Sequence, residues 1–362
     1  MFKEVHKPEG VYLLSHSVGL RPKKNPTLDK YLKLWEQKGA LAWPDWLHMV
    51  DQFNDHLAAL LGGAGHEFCP QVNITSGLAK IISSLPVAHK NKNKILLTEH
   101  DFPSLAYCLQ RAKEAGYELS FINKEDNICD THVWHKYLAA DVAVCLIHHV
   151  TSFSGQQTPI KQIAAFCRQK GITTILDIAH SAGVLPLDLN LLGADFALGS
   201  GVKWLCCGPG ACFLWANSKT TQDFNPTDVG WFSHENPFEH DIYSFRPHST
   251  AKKFFGATPN IAPIAQAVDS LAMLRSIGLD RIFLHNKNLR DKLILNLQDK
   301  GHQLLQSKSE FMGGTVIVRE NKKIESLLLK NSALFDRGRD GFRISPHFYN
   351  TIEDIDLFLH QA

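Results

Sequence analysis

Two kinds of segment are missing from this 362-residue chain. No stretch has the roughly 18 to 20 uncharged apolar residues that a membrane-spanning helix requires. The opening residues, MFKEVHKPEG, contain no apolar run of the kind found in secretory signals. We therefore expect a cytoplasmic protein that has no membrane partner.

The sequence also lacks an excess of charge of either sign. Its 38 lysines and arginines nearly balance 36 aspartates and glutamates, and the formal net charge is +2. The densest basic cluster, KNKNK at residues 90–94, is short. Because a nucleic-acid interface needs a concentrated basic surface, we expect no nucleic-acid partner.

Regularly spaced cysteines are absent as well. The eight cysteines form no C-x-x-C pair, and several lie within apolar segments. This pattern favours buried free thiols over disulfides or a metal site. We therefore expect no metal ion.

Short β-rich segments alternate with amphipathic helical segments between residues 70 and 215. Strands separated by helices of about 10 to 15 residues are typical of a mainly parallel sheet with helices on both faces. The sequence therefore predicts an α/β fold. The predicted strands cover residues 72–75, 94–98, 118–122, 141–147, 172–178, 195–198 and 211–216.

The remainder of the chain has a different organisation. Two long helical patterns, 261–276 and 279–299, precede short strand and helix patterns that begin at residue 314. These features predict a smaller α+β domain. The expected boundaries are 29–255 for the large domain, and 1–28 together with 256–362 for the small one.

Ligands of mainly parallel sheets bind beyond the carboxyl ends of the strands. Segments that directly follow predicted strands are therefore the first places to look for a site. Here they converge on one rim of the sheet. They are residues 75–77, 99–104, 148–155, 177–183 and 199–210.

Asp177 stands in the otherwise apolar segment ILDIAHSAG. A carboxylate at the end of a buried strand must be exposed there or have a cationic partner, because a buried unpaired charge is costly. A protonated ring nitrogen would satisfy it. The alternative is that Asp177 caps the following turn through its own backbone.

Lys203 lies in the glycine-rich segment GSGVKWLCCGPG. Apolar neighbours can desolvate a lysine, which lowers its pKa and makes the amine a nucleophile for a carbonyl group. The alternative is an ordinary solvated surface lysine.

The order of these features suits pyridoxal 5'-phosphate. Ser76 and Gly77 at a helix start can bind the phosphate, and the turn at 100–104 carries flat side chains that can stack on the ring. Asp177 can hold the ring nitrogen protonated, and Lys203 can form the Schiff base. We therefore expect this cofactor.

The segment DIAHSAGVLPLDLNLLGADFALGSGVKWLCCGPGACFLWA resembles the cofactor segment of fold type I enzymes of the class V aminotransferase family. It is especially similar to kynureninases, and the chain is also similar to cysteine desulfurases and isopenicillin N epimerase-like proteins. Further matching motifs span nearly the whole sequence. They lie at 12–22, 57–63, 101–104, 154–156, 230–238, 245–263 and 342–356.

The resemblance implies roles at the cofactor. Lys203 would carry the Schiff base, Asp177 would pair with the ring nitrogen, and His180 would lie by the phenolic oxygen or the phosphate. Phe102 matches the stacking position of kynureninases, whereas alignment on the Glu-His pair gives that role to His100. His180 also has a plainer alternative as a hydrogen-bonded residue at a strand end.

Further roles follow from the same resemblance. Trp231 and Thr258 would add phosphate contacts, and Thr258 would come from the second subunit of a homodimer whose active site lies at the interface. Arg343, assisted by Ser17, would bind the α-carboxylate of a small amino-acid substrate. The plainer alternatives make Trp231 a core aromatic residue and Arg343 a partner of Asp336 or Asp340.

Departures from the family patterns bear on the reaction. Cysteine desulfurases need a nucleophilic cysteine shortly before the carboxylate-binding arginine, but the last cysteine here is Cys212. Kynureninases typically have tyrosine directly before the Schiff-base lysine, where this chain has Val202. Leu105 replaces an aspartate that often follows the FPS motif in kynureninases.

The sequence therefore predicts a pyridoxal-phosphate enzyme that forms a carbanion at Cα of an α-amino acid. The main hypothesis is a kynureninase-like hydrolase or β-lyase that cleaves the side chain. Alternatives are a class V aminotransferase or epimerase, a desulfurase or selenocysteine lyase, and a non-catalytic scaffold. The sequence leaves the substrate open.

Overall fold

A computed structural model of the chain describes residues 4–305 and 311–356. The strands are β1 Val11–Tyr12, β2 Phe68–Gln71, β3 Lys94–Thr98, β4 Glu118–Ile122, β5 Val142–His148, β6 Thr173–Asp177, β7 Phe196–Ser200, β8 Cys212–Ala216, β9 Val316–Val318, β10 Ala333–Leu334, β11 Asp336–Arg337 and β12 Phe342–Ile344. The helices are α1 Pro26–Lys38, α2 Trp43–Leu61, α3 Ile74–Ser83, α4 Pro103–Leu109, α5 Thr131–Tyr137, α6 Ile160–Gln169, α7 Leu189–Leu192, α8 Ile261–Ile277, α9 Leu279–Asp299, α10 Lys322–Lys330 and α11 Ile352–Asp356. Short 3-10 helices occupy Gly39–Ala42, Gly65–Glu67, Gln110–Ala115, Trp231–Ser233 and Ala251–Phe254.

A seven-stranded sheet in the order β2-β8-β7-β6-β5-β3-β4 forms the centre of the molecule. Only β8 runs antiparallel to its neighbours, and the remaining pairs are parallel. The carboxyl ends of β3, β5, β6 and β7 therefore meet at one edge. The predicted α/β fold with a mainly parallel sheet is confirmed.

The first strand of this sheet differs from the prediction. Residues 72–75 were expected to be extended, but β2 ends at Gln71 and α3 begins at Ile74. Asn73 is the N-cap residue, and its side chain accepts a 2.8 Å hydrogen bond from the backbone N–H of Ser76. This cap outweighs the β-propensity of Val72, Ile74 and Thr75, because it satisfies a backbone donor that the helix start leaves free.

Helices cover both faces of the sheet. Leu176 of β6 packs into the cluster that contains Phe53 of α2 and Leu271 of α8. Its neighbour Ile175 points to the opposite face and packs into the cluster around Ile81 of α3. This alternation follows from the period of two along a strand, and it explains why a central strand such as β5 is mainly apolar on both faces.

A smaller sheet lies in the C-terminal part, in the order β11-β12-β9, and α9 packs beside it. The short strand β1 pairs in parallel with β10, so the N-terminal segment is joined to this C-terminal unit. The domain boundaries 29–255, 1–28 and 256–362 stay a prediction. Within the described ranges, no helix is long and apolar enough to cross a membrane.

Candidate active site

A cavity of about 340 Å³, called here the main cavity, opens at the carboxyl ends of β6 and β7. Phe102, Asp177, His180 and Lys203, four of the predicted site residues, line it. Ser200 at the end of β7 lines it too, although the sequence analysis did not single it out. A strand end beside a glycine-rich loop is the signal that could have identified Ser200.

Lys203 follows β7, and its side-chain nitrogen lies 2.7 Å from Nε2 of His180. Burial lowers its pKa to about 8, against the opposing effect of the Asp177 carboxylate. Lys203 is thus a desolvated amine inside a cavity, and the alternative of a solvated surface lysine does not describe it. Such an amine is a nucleophile at moderate pH.

Two glycines allow the backbone around Lys203 to pack tightly. A Cβ atom on Gly201 would lie 2.1 Å from the carbonyl oxygen of Ala211. A Cβ atom on Gly199 would lie 2.0 Å from the ring of Phe213. The loop therefore needs glycine at both positions for close approach of neighbouring chain segments, and not for a left-handed conformation.

Asp177 ends β6 and is buried, and burial raises the pKa of its carboxyl group. Its Oδ1 accepts a 2.9 Å hydrogen bond from the backbone N–H of Ala179. The turn-capping alternative is therefore correct for this oxygen. A carboxylate has further acceptor positions, so Asp177 can also accept a hydrogen bond from a protonated ring nitrogen bound in the main cavity.

His180 is buried, and burial, followed by the nearby positive charge of Lys203, holds its pKa well below the usual range. The imidazole is therefore neutral at pH 7. A neutral imidazole nitrogen can accept a hydrogen bond from the Lys203 ammonium. His180 thus fixes the position of the amine.

The first residues of α3 line two adjoining cavities. Ile74 and Thr75 line the main cavity, while Ser76 and Thr258 line an adjoining second cavity of about 240 Å³. Val72 and Gly210 line both cavities. Backbone N–H groups at a helix start favour a phosphate.

Gly77 does not line either cavity. A Cβ atom there would lie 2.7 Å from Leu198 Cδ2, so this glycine lets α3 approach β7 closely. Its predicted phosphate contact stays a prediction. Asn73, which the sequence analysis missed, lines the main cavity and holds the Ser76 hydroxyl at 3.1 Å.

The two candidates for the stacking residue differ in position. Phe102 lines the main cavity with half of its surface exposed. His100 does not line it, and its Nε2 is 3.1 Å from the carbonyl oxygen of Lys124. The geometry therefore favours Phe102 as the flat side chain available to a ring.

Trp231 packs against Trp43 and Phe232 in an aromatic cluster. It lines neither the main nor the second cavity, which agrees with the alternative that Trp231 is a core aromatic residue. Ser17 is exposed in a turn where its N–H donates to the carbonyl of Leu14. The predicted phosphate and substrate contacts of Trp231 and Ser17 stay predictions.

Arg343 faces Asp336 across the β11–β12 pair. Its Nε donates to Asp336 Oδ1 at 2.8 Å, and its Nη2 donates to Oδ2. The alternative that paired Arg343 with Asp336 is therefore realised. Arg343 lines neither the main nor the second cavity, although its charge contributes to the lowered pKa of both Lys203 and His180. Its predicted contact with a substrate carboxylate stays a prediction.

A buried acid–histidine pair adjoins Asp177 and was not anticipated. His148 Nδ1 lies 2.7 Å from Asp101 Oδ1, and both side chains are buried. His148 is directly opposite Asp177 in the β5–β6 register. The sequence could have indicated this pair, because Asp101 and His148 both lie in segments that directly follow predicted strands.

The lowered pKa of Lys203 predicts an unusual reactivity profile. With a pKa of about 8, about a tenth of the amine is unprotonated at pH 7, compared with roughly 1 in 3,000 for an ordinary lysine. Labelling of the apoprotein by an amine-reactive acylating reagent should therefore rise at Lys203 with a midpoint near pH 8. Peptide mass spectrometry measures it, and the other lysines serve as internal references. A midpoint near that of an ordinary lysine would contradict the desolvated environment.

The sequence model of the Aminotransferase class-V family matches residues 48–358. The uncharacterized aminotransferase YcbU of Bacillus subtilis is 25% identical over 86% of this chain and 83% of its own length. A kynureninase of Bacillus thuringiensis is 27% identical over 97% of this chain and 87% of its own. The apo structure of a cysteine desulfurase from Thermococcus onnurineus NA1 superposes with a TM-score of 0.82 at 19% identity, covering 97% and 93% of the two chains.

Proposed function

Because the chain belongs to the class-V aminotransferase family, we propose that it is a pyridoxal 5'-phosphate enzyme that cleaves the side chain of an α-amino acid, as kynureninases do. The observation that carries the proposal is the arrangement in the main cavity. A partly buried amine, that of Lys203, lies 2.7 Å from the neutral imidazole of His180, and the buried carboxylate of Asp177 lines the same space. These groups suit the cofactor that the family implies.

The residues of the main cavity fit that cofactor at each of its parts. Asp177 has acceptor positions for the ring N–H, Phe102 offers a flat face, and the start of α3 offers N–H groups for the phosphate. When bound, pyridoxal phosphate supplies an aldehyde for an amine and an electron-accepting ring. The protein supplies the partner for each group.

Lys203 has two tasks in this scheme. Its uncharged amine would bind the aldehyde that the cofactor supplies, and as a free amine it would take the proton from Cα of the substrate. A pKa of about 8 suits a base that works near neutral pH. His180, whose Nε2 lies 2.7 Å from this amine, would help to hold it in position.

Several observations favour side-chain hydrolysis over desulfuration. Relatives that match almost the whole chain are named kynureninase, and Phe102 lines the main cavity as the kynureninase resemblance implies. Cys212 is the one cysteine among the described lining residues, and burial raises its thiol pKa. A thiol that stays protonated is a poor nucleophile for sulfur transfer.

A class V aminotransferase or epimerase is the second candidate. Val202 lines the main cavity directly before Lys203, where kynureninases typically have tyrosine. An aliphatic side chain cannot transfer a proton, so hydrolysis would need its proton donor elsewhere. Amino transfer and epimerisation require only the groups that move the Cα proton.

We also propose that the active enzyme is a homodimer whose partner supplies Thr258. Ile242 and Tyr243 are 87% and 92% exposed in the long segment between β8 and α8. Adjacent exposed apolar side chains, as opposed to single ones, can form part of an interaction surface. The family resemblance implies an active site at a dimer interface, which agrees with an exposed apolar segment in this part of the chain.

A product assay separates the two candidate reactions. The holoenzyme is incubated with L-kynurenine, and separately with a panel of α-amino acids plus a 2-oxo acid. We expect anthranilate and alanine in equal amounts from kynurenine, and none with the Lys203→Ala variant. Amino transfer to the 2-oxo acid without anthranilate would replace hydrolysis with the second candidate.

A further inference from the structure

We propose that Asp336 and His16 are positioning residues that hold Arg343 in the orientation needed to receive the α-carboxylate of the substrate. The inference rests on the proposed function, in which Arg343 is the carboxylate anchor. It goes beyond that function because it assigns a role to two residues outside the main cavity. The geometry of one hydrogen-bonded chain, His16 to Asp336 to Arg343, carries it.

Asp336 occupies one edge of the Arg343 guanidinium group. Nε and Nη2 both donate to this carboxylate. A guanidinium group has a second edge, formed by Nη1 and the remaining hydrogen of Nη2. On that edge, Nη1 reaches the carbonyl oxygen of Ser152 at 3.4 Å, which is a long contact. The edge that can bind a second carboxylate in a bidentate manner is therefore available.

His16 fixes Asp336 in turn. The buried imidazole donates from Nε2 to the Asp336 carboxylate at 3.0 Å, and its Nδ1 lies 2.7 Å from the hydroxyl oxygen of Ser345. Ser345 directly follows β12, the strand that carries Arg343. Through these two contacts, His16 links the N-terminal segment to Asp336, which binds Arg343, and to Ser345, which follows the strand that carries Arg343.

The charge state of Asp336 is compatible with this role. Burial alone would raise its pKa, but the hydrogen bonds from His16 and Arg343 lower the pKa to about 2. Asp336 therefore stays ionised over the whole working pH range. Because His16 and Arg343 both bind Asp336, this carboxylate can orient Arg343 and keep its own position when a substrate carboxylate binds.

The position of Arg343 relative to the reacting groups agrees with an anchor. Its Nη1 contacts the carbonyl oxygen of Ser152, in the segment that follows β5 at the same edge of the sheet as His180 and Lys203, and its positive charge contributes to the lowered pKa of both. Gly338 makes room for the arginine, since a Cβ atom there would lie 3.1 Å from Arg343 Cδ. By contrast, Asp340 contacts the neighbouring Arg339, which makes it a matched control.

The test uses two ligands that differ only in the carboxylate. L-Alanine is the amino acid that remains after either kynurenine hydrolysis or removal of sulfur from cysteine, and ethylamine is its decarboxylated counterpart. Dissociation constants for both are measured with the holoenzyme from the change in the visible spectrum of the cofactor. The ratio of the two constants reports recognition of the carboxylate.

We expect wild-type protein to prefer L-alanine, and Arg343→Ala to weaken its binding by about 10- to 100-fold with little change for ethylamine, since a charge-assisted bidentate contact is lost. Asp336→Ala should weaken L-alanine binding by roughly tenfold, again without affecting ethylamine. His16→Leu should have the same selective effect, and His16→Gln should restore much of the loss by keeping a donor for Asp336. Asp340→Ala should resemble wild type.

The possible failures are distinct. No spectral change with either ligand in wild-type protein would contradict the proposed function itself, and an unchanged alanine preference in Arg343→Ala would show that the anchor is elsewhere. If Arg343→Ala loses the preference but Asp336→Ala keeps or strengthens it, Asp336 competes with the substrate and the positioning role is wrong. Equal weakening of both ligands in Asp336→Ala and in the isosteric Asp336→Asn would likewise reduce Asp336 to a structural residue.

Discussion

Lys203→Ala should yield a protein that no longer binds pyridoxal phosphate covalently, and its turnover should fall by about 10⁴-fold or more. The reason is that Lys203 provides both the amine for the aldehyde and the base for the Cα proton. Among the described residues, no other lysine lines the main cavity. Borohydride treatment followed by peptide mass spectrometry should show the cofactor mass on the Lys203 peptide of wild-type protein.

Two controls sharpen this experiment. Lys203→Arg keeps a positive charge but provides no nucleophilic amine, so it should fail like alanine. Lys219→Ala removes an exposed lysine and should leave the modified peptide and the turnover as in wild type. Cofactor mass on another lysine of wild-type protein, or undiminished turnover in Lys203→Ala, would show that the active amine is elsewhere.

Asp177→Asn should have opposite effects on the apoprotein and the holoenzyme. A carboxyl group whose pKa is raised by burial stabilises the fold below its ordinary pKa of about 3.8, and this stabilisation is lost as the pH rises through the folded-state value. At pH 7 the buried charge is therefore unfavourable in the apoprotein. The isosteric amide removes that charge, so we expect the melting temperature of the apoprotein to stay unchanged or to rise.

In the holoenzyme the same substitution should be harmful. The amide cannot stabilise a protonated ring nitrogen as a carboxylate does, and a charge-assisted hydrogen bond of this kind corresponds to about 10- to 100-fold in cofactor affinity and in turnover. Asp177→Glu is the comparison that keeps the charge but displaces it. A lower melting temperature of the Asp177→Asn apoprotein, combined with normal cofactor affinity, would reduce Asp177 to a turn-capping residue.

Asp177 and Lys203 show what local sequence can predict. Each is a charged residue in an apolar or glycine-rich setting directly after a predicted strand, and parallel strands bring such ends to one edge of a sheet. The structure places both on the main cavity. The start of α3 was predicted less well, because the capping contact of Asn73 outweighs the β-propensity of its neighbours.

Contacts between residues that are distant in the sequence could not be predicted from local sequence. The pairing of His148 with Asp101 joins the ends of neighbouring strands, and the chain from His16 through Asp336 to Arg343 joins segments that are more than 300 positions apart. From the sequence, Asp336 was expected only as an alternative partner of Arg343, in place of a substrate carboxylate. In the structure Asp336 binds one edge of Arg343, and we propose that the other edge receives the carboxylate of a substrate.

By itself, the amino-acid sequence determined the alternation of strands and helices, the rim of the sheet where the main cavity opens, and the two residues with the most distinctive chemistry for pyridoxal phosphate. These depend on periodicity and on neighbours in the chain, which are readable locally. Only the tertiary structure decided that Phe102 rather than His100 faces the cavity, that His180 holds Lys203, and that Asp336 is fixed by His16. Such contacts depend on how distant segments are brought together, and no local pattern encodes the distance between them.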